Sequence, residues 1–263
     1  MKRAQMTARP GLTLLLGITL LISAMSSAVQ WMQGGISLIE HLGTTIPMLY
    51  FLFICIHDGV HSVLSGSRWV NDAAATLLAG AVGLPFALLR HAHLHHHAHL
   101  GQPSDPEGRI YNSSIWELPM TLLAVPFIYL VQLPKLGWKS AAAVCIQLTL
   151  LVSAMTLFPS LLTAWALPVL LGVLYFGFTT VYAPHSRHHG RLMPWLNLHS
   201  GYHHDHHRDP RYPFHQYFQL RLDGLLNQGV APSFTQERKT LSLVTIDLRT
   251  LAPSVRAHGN GAS

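Results

Sequence analysis

Histidine is where chemistry can reside in this chain: 19 of its 263 residues are His, and most fall into a few tight groups. His57 and His61, in HDGVH, stand four apart, which on a helix puts both imidazoles on one face. His93, His96 and His97, in HLHHH, form an i, i+3, i+4 set, and HHDHH repeats it as His203, His206 and His207. One helical turn can then aim three nitrogens at a single point. Imidazole suits Fe, Cu, Zn and Ni, whereas structural zinc takes four ligands and often uses Cys. Eight histidines in box spacing, with neither Cys in metal-ligand spacing, ask for two metal ions.

How specific the signal is depends on how many boxes occur together. A lone HxxxH usually means two surface histidines, and a single HxxHH can bind metal adventitiously. Three boxes in the order HxxxH, HxxHH, HxxHH are far more specific when each lies at a membrane exit, because ionisable groups at membrane depth are costly and usually functional. A further HxxHH occurs in HSRHHG, residues 185–190, which the three boxes do not require.

The elements that must position these groups are apolar. The chain is 49% hydrophobic and 11% charged, against about 25% charged in an ordinary soluble domain. Runs at 11–30, 43–63, 141–158 and 161–183 are expected to span a membrane. Runs at 73–89 and 118–133 contain Pro85 and Pro126 and are read as interfacial or re-entrant helices. All 17 Lys and Arg avoid the windows 10–67 and 140–186, each of which holds a pair of long runs. The fold expected is therefore all-α and integral to the membrane: four transmembrane helices in two hairpins, interfacial helices, and a histidine-rich cap.

Lys2, Arg3 and Arg9 place the N-terminus in the cytoplasm, as Lys135 and Lys139 do the loop before residue 141. The turns at 31–42 and 158–160 then face outward. The first run is read as an anchor rather than a cleaved signal peptide, since its apolar part is long and lacks a small-x-small cleavage site. Residues 1–10 are expected to be a cytoplasmic N-terminus, 11–220 the membrane domain, and 221–263 a cytoplasmic tail without catalytic role. With this topology every histidine box meets the cytoplasmic face.

Several other residues receive expectations. Asp58 and Asp205 could accept the second N–H of a ligating imidazole, or be polar helix surface. Asp105 and Glu107 are expected to shape the turn around Pro106 rather than bind metal. His95, His99 and His204 fall off the ligand spacing; His41, on the outer side, and His258, in the tail, are expected to play no part, and His215 is left open. Cys55 and Cys145 are read as small buried hydrophobes. No Gly-rich dinucleotide fingerprint follows a strand; Gly80 to Gly83 lie in an apolar helix, where they serve packing. The basic residues are a topology signal, and no nucleic-acid partner is expected.

The stretches HDGVHSVLSGSRWVND, LLAGAVGLPFALLRHAHLHHHAHLGQPSDPEG and GYHHDHHRDPRYPFHQ resemble the integral-membrane fatty acid desaturase and hydroxylase superfamily, over roughly residues 43–220. The first two, with Asn71 and the Asp105-Pro106-Glu107 turn, are similar to bacterial acyl-lipid desaturases; the third resembles both those enzymes and bacterial carotenoid ketolases. The resemblance implies a di-iron centre, two Fe per chain, with O2 as co-substrate. It makes His57, His61, His93, His96, His97, His203, His206 and His207 the core ligands and catalytic set. A ninth ligand would be His185, with His199 and Asn197 as alternatives. It further implies a multi-pass protein of the bacterial inner membrane with its active site on the cytoplasmic side. The expected activity is fatty acyl desaturation or hydroxylation of a long-chain lipid, the alternative being a carotenoid (β-carotene) ketolase or hydroxylase. An alkane monooxygenase ranks lower, because those chains are typically longer. Electrons would come from a ferredoxin or flavodoxin with its reductase, and the net charge of +6 favours an acidic donor and anionic headgroups. The rival outside the enzymes, a His-rich membrane protein that binds or carries metal, would place histidines at mid-span, where this chain has none.

Overall fold

A computed structural model describes residues 11–185 and 203–217. The described residues belong to one compact unit, Met1–Asp223; a second, Gly224–Ser263, lies outside them. Expectations for residues 1–10, for Asn197 and His199, for His258 and for the tail 221–263 also fall outside the described residues, as do the side chains of His204 and Asp205.

The described residues contain helices and no strand. Helix α1 (Leu12–Met32) and helix α2 (Leu38–Val60) form the first hairpin. Ser37 starts α2: its hydroxyl accepts the Glu40 N–H while the Glu40 carboxylate accepts the Ser37 N–H, which satisfies two of the donors a helix start leaves open. Helix α2 lies at the centre of the fold, and from Leu52 to Val60 every residue is buried. Its Leu49, Leu52, Phe53, Cys55, Ile56 and Val60 form one core with Leu78 and Ala79, against which Trp165, Val169 and Val173 pack.

Helices α3 (Arg68–Ala81) and α4 (Phe86–His99) have 14 residues each and meet at 104°. The corner contains Gly83 at φ 76°, a left-handed conformation that glycine adopts without cost. The second hairpin pins this corner. Trp165 donates its indole N–H to the Ala81 carbonyl, and Gln147 donates to the Leu84 carbonyl while accepting the Phe86 N–H. A short helix α5 (Gly108–Asn112) and helix α6 (Leu118–Leu130) follow. Helix α7 (Trp138–Leu157) and helix α8 (Pro159–Phe176) make the second hairpin; α8 continues through a π-helical segment, Gly177–Tyr182, into α9 (Ala183–His185). Helix α10 (His203–Arg208) completes the described elements.

The surface is that of a membrane protein: Leu15, Ile22, Met120, Phe127, Ile146 and Leu150 are exposed, an apolar exterior that suits lipid rather than water. Cys55 is buried as expected, but Cys145 belongs to this exterior and is exposed. Five stretches are long and apolar enough to cross a bilayer, Leu12–Met32, Leu38–Val60, Leu118–Lys135, Trp138–Leu157 and Leu162–His185, against the four expected; the bent α3–α4 pair could add a sixth. The difference arises at Leu118–Lys135, where the helix runs through Pro126 instead of stopping there. Its α-helical part has only 13 residues, about 20 Å of rise against a hydrocarbon core of about 30 Å.

Candidate metal centre

Four helix ends converge at one end of the bundle. The last turn of α2 brings His57 and His61, the second half of α4 brings His93, His96 and His97, α9 brings His185, and α10 brings His203, His206 and His207. His57, His93, His96, His203 and His206 are buried, and the other four are partly so.

Nitrogen positions divide the rings into two groups. His57, His61, His93, His97 and His206 each offer an atom within 4.8 Å of one another, and so do His96, His185 and His207. His203 joins the second group, with its Nε2 at 3.1 Å from His185 Nε2 and 2.9 Å from His207 Nε2. In the first group, His93 Nε2 lies 2.9 Å from His57 Nε2 and 3.0 Å from His97 Nε2, which is 3.2 Å from His206 Nε2. In the second, His185 Nε2 lies 3.1 Å from His207 Nε2. Every histidine of the three boxes, and His185 with them, is therefore brought to the cluster.

Hydrogen bonds on the far side of the rings set which nitrogen faces inward. His93 donates Nδ1–H to Glu107 Oε1 at 3.0 Å, and His96 donates Nδ1–H to the Asp105 carboxylate at 2.9 Å. His185 donates Nδ1–H to the Val181 carbonyl at 2.6 Å. Each ring thus turns an Nε2 lone pair to the centre, the arrangement that orients a metal-binding imidazole. His96 Nε2 is buried and has no hydrogen-bond partner, a cost that coordination would remove.

The electrostatics agree. Burial alone would raise the Glu107 carboxyl, but the His96 and His93 imidazoles and the Tyr129 hydroxyl outweigh it and hold it down at about 2. Burial opposes, and His96, Tyr111 and the Glu107 N–H overcome, the same shift at Asp105, which is lowered. Burial and neighbouring imidazoles push His97 and His206 below the usual histidine range. These two rings are thus held neutral, as metal binding requires.

Four expectations need correcting. Asp105 and Glu107 do more than shape the turn: each braces an imidazole, although Asp105 also accepts the Glu107 N–H. Asp58 holds no ring; it is buried and accepts the Phe214 backbone N–H, tying the segment after α10 to α2. His41 is not idle on the outer side but buried in the bundle, its Nδ1 at 2.9 Å from Ser27 Oγ and its Nε2 donating to the Ala164 carbonyl. Cys145 faces outward, as noted above. His95 and His99 stack on each other, ring centroids 3.9 Å apart, and belong to neither group. His215 approaches Thr13 at 3.4 Å and also lies outside both groups.

Sequence reasoning missed two tyrosines. Tyr129, on α6, donates to Glu107 Oε1, and Tyr111, on α5, donates to Asp105 Oδ2. No spacing pointed to them, since each reaches the site through a carboxylate. The first box also rests on Asn71, fully buried, which accepts the Leu64 N–H and donates to the Gly59 carbonyl between His57 and His61.

Among known proteins, the fatty acid desaturase family model matches residues 30–232 of this chain. No curated protein and no solved structure matches it significantly.

Proposed function

Because the chain belongs to the fatty acid desaturase family, we propose that it is a membrane di-iron oxidoreductase that uses O2 to desaturate or hydroxylate a long fatty acyl chain. The observation that carries this reading is the pair of adjacent all-imidazole groups, one of five rings and one of four. Five imidazoles in one group exceed the four ligands of a structural zinc, and an imidazole set without thiolate suits iron.

His57, His61, His93, His97 and His206 would hold one iron, and His96, His185, His203 and His207 the other. When bound, the pair supplies reductive activation of O2 and an oxidant able to take hydrogen from an unactivated C–H bond. The chain's own residues position the ligands and exclude water. Glu107, Asp105 and the Val181 carbonyl fix three rings. The buried Phe53, Ile54 and Ile56 on α2 line the bundle directly below the cluster. Whether the product is a double bond or an alcohol depends on where the acyl chain lies relative to the irons, to within about an ångström.

Connectivity supports four crossings. The last turn of α2 carries His57 and the last turns of α4 carry His93 and His97, in one cluster, so the α3–α4 pair leaves and returns on the same side. Helix α9 ends in that cluster as well, so α8 and α7 can both cross only if α6 begins and ends on the site's side. Arg68, Arg90, Arg109, Lys135 and Lys139 all lie between the end of α2 and the first turn of α7, the part of the chain that this connectivity keeps on that side, which by the positive-inside rule is cytoplasmic. A bacterial inner membrane, with an acidic ferredoxin or flavodoxin as donor, fits this orientation.

Expression in a carotene-producing host, with analysis of both fatty acids and pigments, tests the reading. New unsaturated or hydroxylated acyl chains support it. Ketocarotenoids with unchanged fatty acids would transfer the activity to carotenoids, in keeping with the GYHHDHH box. A zinc or nickel load without iron would favour a metal-binding protein.

A further inference from the structure

The two histidine groups are braced by different carboxylates, and each carboxylate is braced by its own tyrosine. In the first group, His93 donates Nδ1–H to Glu107 Oε1 at 3.0 Å, and the same oxygen accepts the Tyr129 hydroxyl at 3.0 Å. In the second, His96 Nδ1 lies 3.0 and 2.9 Å from the two Asp105 oxygens, and Asp105 Oδ2 accepts the Tyr111 hydroxyl at 2.7 Å. The other oxygen of Glu107 is 3.7 Å from His96 Nε2, beyond hydrogen-bond range, so each carboxylate bonds one ring.

The two relays also differ in surroundings. Glu107 and Tyr129 are buried, with Tyr129 delivered by α6. Tyr111 is half-buried on α5, accepts the Gly101 N–H, and stacks on His185 of the same group, ring centroids 5.2 Å apart. Helix α6 thereby acquires a reason to lie against the site without crossing the membrane.

We propose that these are two separate hydrogen-bonded positioning relays, Tyr129–Glu107–His93 acting chiefly on the affinity and redox behaviour of one iron and Tyr111–Asp105–His96 chiefly on those of the other. The proposal rests on the di-iron reading above. Its physical basis is the competition for each carboxylate's electron density. A tyrosine hydroxyl draws density from the carboxylate, which then pulls less on the imidazole N–H and leaves that imidazole a weaker donor. Deleting the hydroxyl reverses this, strengthens the imidazole, favours the ferric state and lowers chiefly the reduction potential of that iron.

The experiment compares purified full-length wild-type protein with Glu107→Gln, Asp105→Asn, Tyr129→Phe and Tyr111→Phe. Iron is measured per chain across a chelator series, and the two reduction steps are followed by Mössbauer or EPR titration. Losing an outer partner typically costs about 10- to 100-fold in metal affinity. Each carboxylate variant is therefore expected to shed about one iron at chelator strengths that leave wild type with two, and the double variant both. Each Tyr→Phe variant is expected to keep two irons and shift one reduction step downward, a different step for each tyrosine. Loss of both irons together in either carboxylate variant overturns the proposal, as does retention of both at wild-type affinity. The Tyr→Phe variants conserve packing, so unchanged potentials in both overturn it even where a carboxylate variant fails to fold. Wild-type protein that binds no iron would defeat the di-iron reading instead.

Discussion

Helix α2 carries a buried histidine near each end, His41 and His57. At the His41 end every ring nitrogen has a protein partner: Ser27 Oγ and Thr45 Oγ1 approach Nδ1 at 2.9 and 3.2 Å, and the Ala164 carbonyl accepts from Nε2 at 2.9 Å. That ring joins α1, α2 and α8 by ordinary hydrogen bonds, with Trp31 stacked on it. At the other end His57 Nε2 faces another imidazole nitrogen, His93 Nε2, at 2.9 Å, while His93 has already committed its proton to Glu107. Burial is shared by the two ends and so identifies neither as a ligand. What separates them is whether the nitrogens face groups that complete hydrogen bonds or face one another.

Substitution at the two ends should break this comparison most widely. His96→Ala or His207→Ala is expected to abolish activity and lower the iron content, whereas His41→Ala should keep both irons; full activity in either cluster variant would end the box assignment. Acid should act next, and mainly at the cluster end, because the carboxyl at the other end, Glu40, is fully exposed. His97 and His206 sit below the usual histidine value of 6.5, so their contribution to stability of the metal-free protein is present above that pH and is lost as pH falls from it. Glu107, lowered from 4.5 to about 2, contributes above about pH 4.5 and loses its contribution between there and about pH 2. Thermal midpoints of the metal-free protein should therefore fall in two stages, and the second stage should shrink in Glu107→Gln, with Asp105 supplying what remains.

Two glycines of α2 offer a matched pair. A Cβ at Gly59, between His57 and His61, would meet Ala75 Cβ at 2.5 Å, whereas one at Gly43, two residues past His41, meets nothing within 4 Å. Gly59→Ala must push α3 away from the first box, costing about 1–3 kcal/mol with a measurable loss of iron. Gly43→Ala should instead stabilise by about 0.5–1 kcal/mol, so equal effects in urea unfolding would remove the distinction. Ser27→Ala deletes the hydroxyl that bonds His41, Thr44 and Thr45 and should cost about 1 kcal/mol with the iron content untouched.

The boxes were legible because helical periodicity converts i, i+3, i+4 spacing directly into a shared face, and the structure groups the same eight histidines together with His185. The helical, membrane-embedded character was legible for a similar reason: composition over 20 residues decides whether a segment prefers lipid. Pro126 alone does not decide the role of its segment: α6 runs through it, since a proline costs one backbone bond without always ending a helix, and the stretch Leu118–Lys135 is long and apolar enough to cross a bilayer. The roles of Asp105 and Glu107 were only half visible. Their turn chemistry is local, but their bonds to His96 and His93 depend on the chain folding back over α4.

The sequence by itself determined which rings could share a face and which segments are apolar, because each follows from a local period or a regional composition. Tertiary structure alone decided how nine rings divide between two groups, and that Tyr129 and Tyr111 support one group each. It also decided that His41 is a packing residue. Such facts depend on distances between residues 6 to 149 positions apart in the chain, as from Asp105 to Tyr111 or from His57 to His206. No period within a single helix encodes those distances; the packing of α2, α4, α6 and α8 around one core sets them.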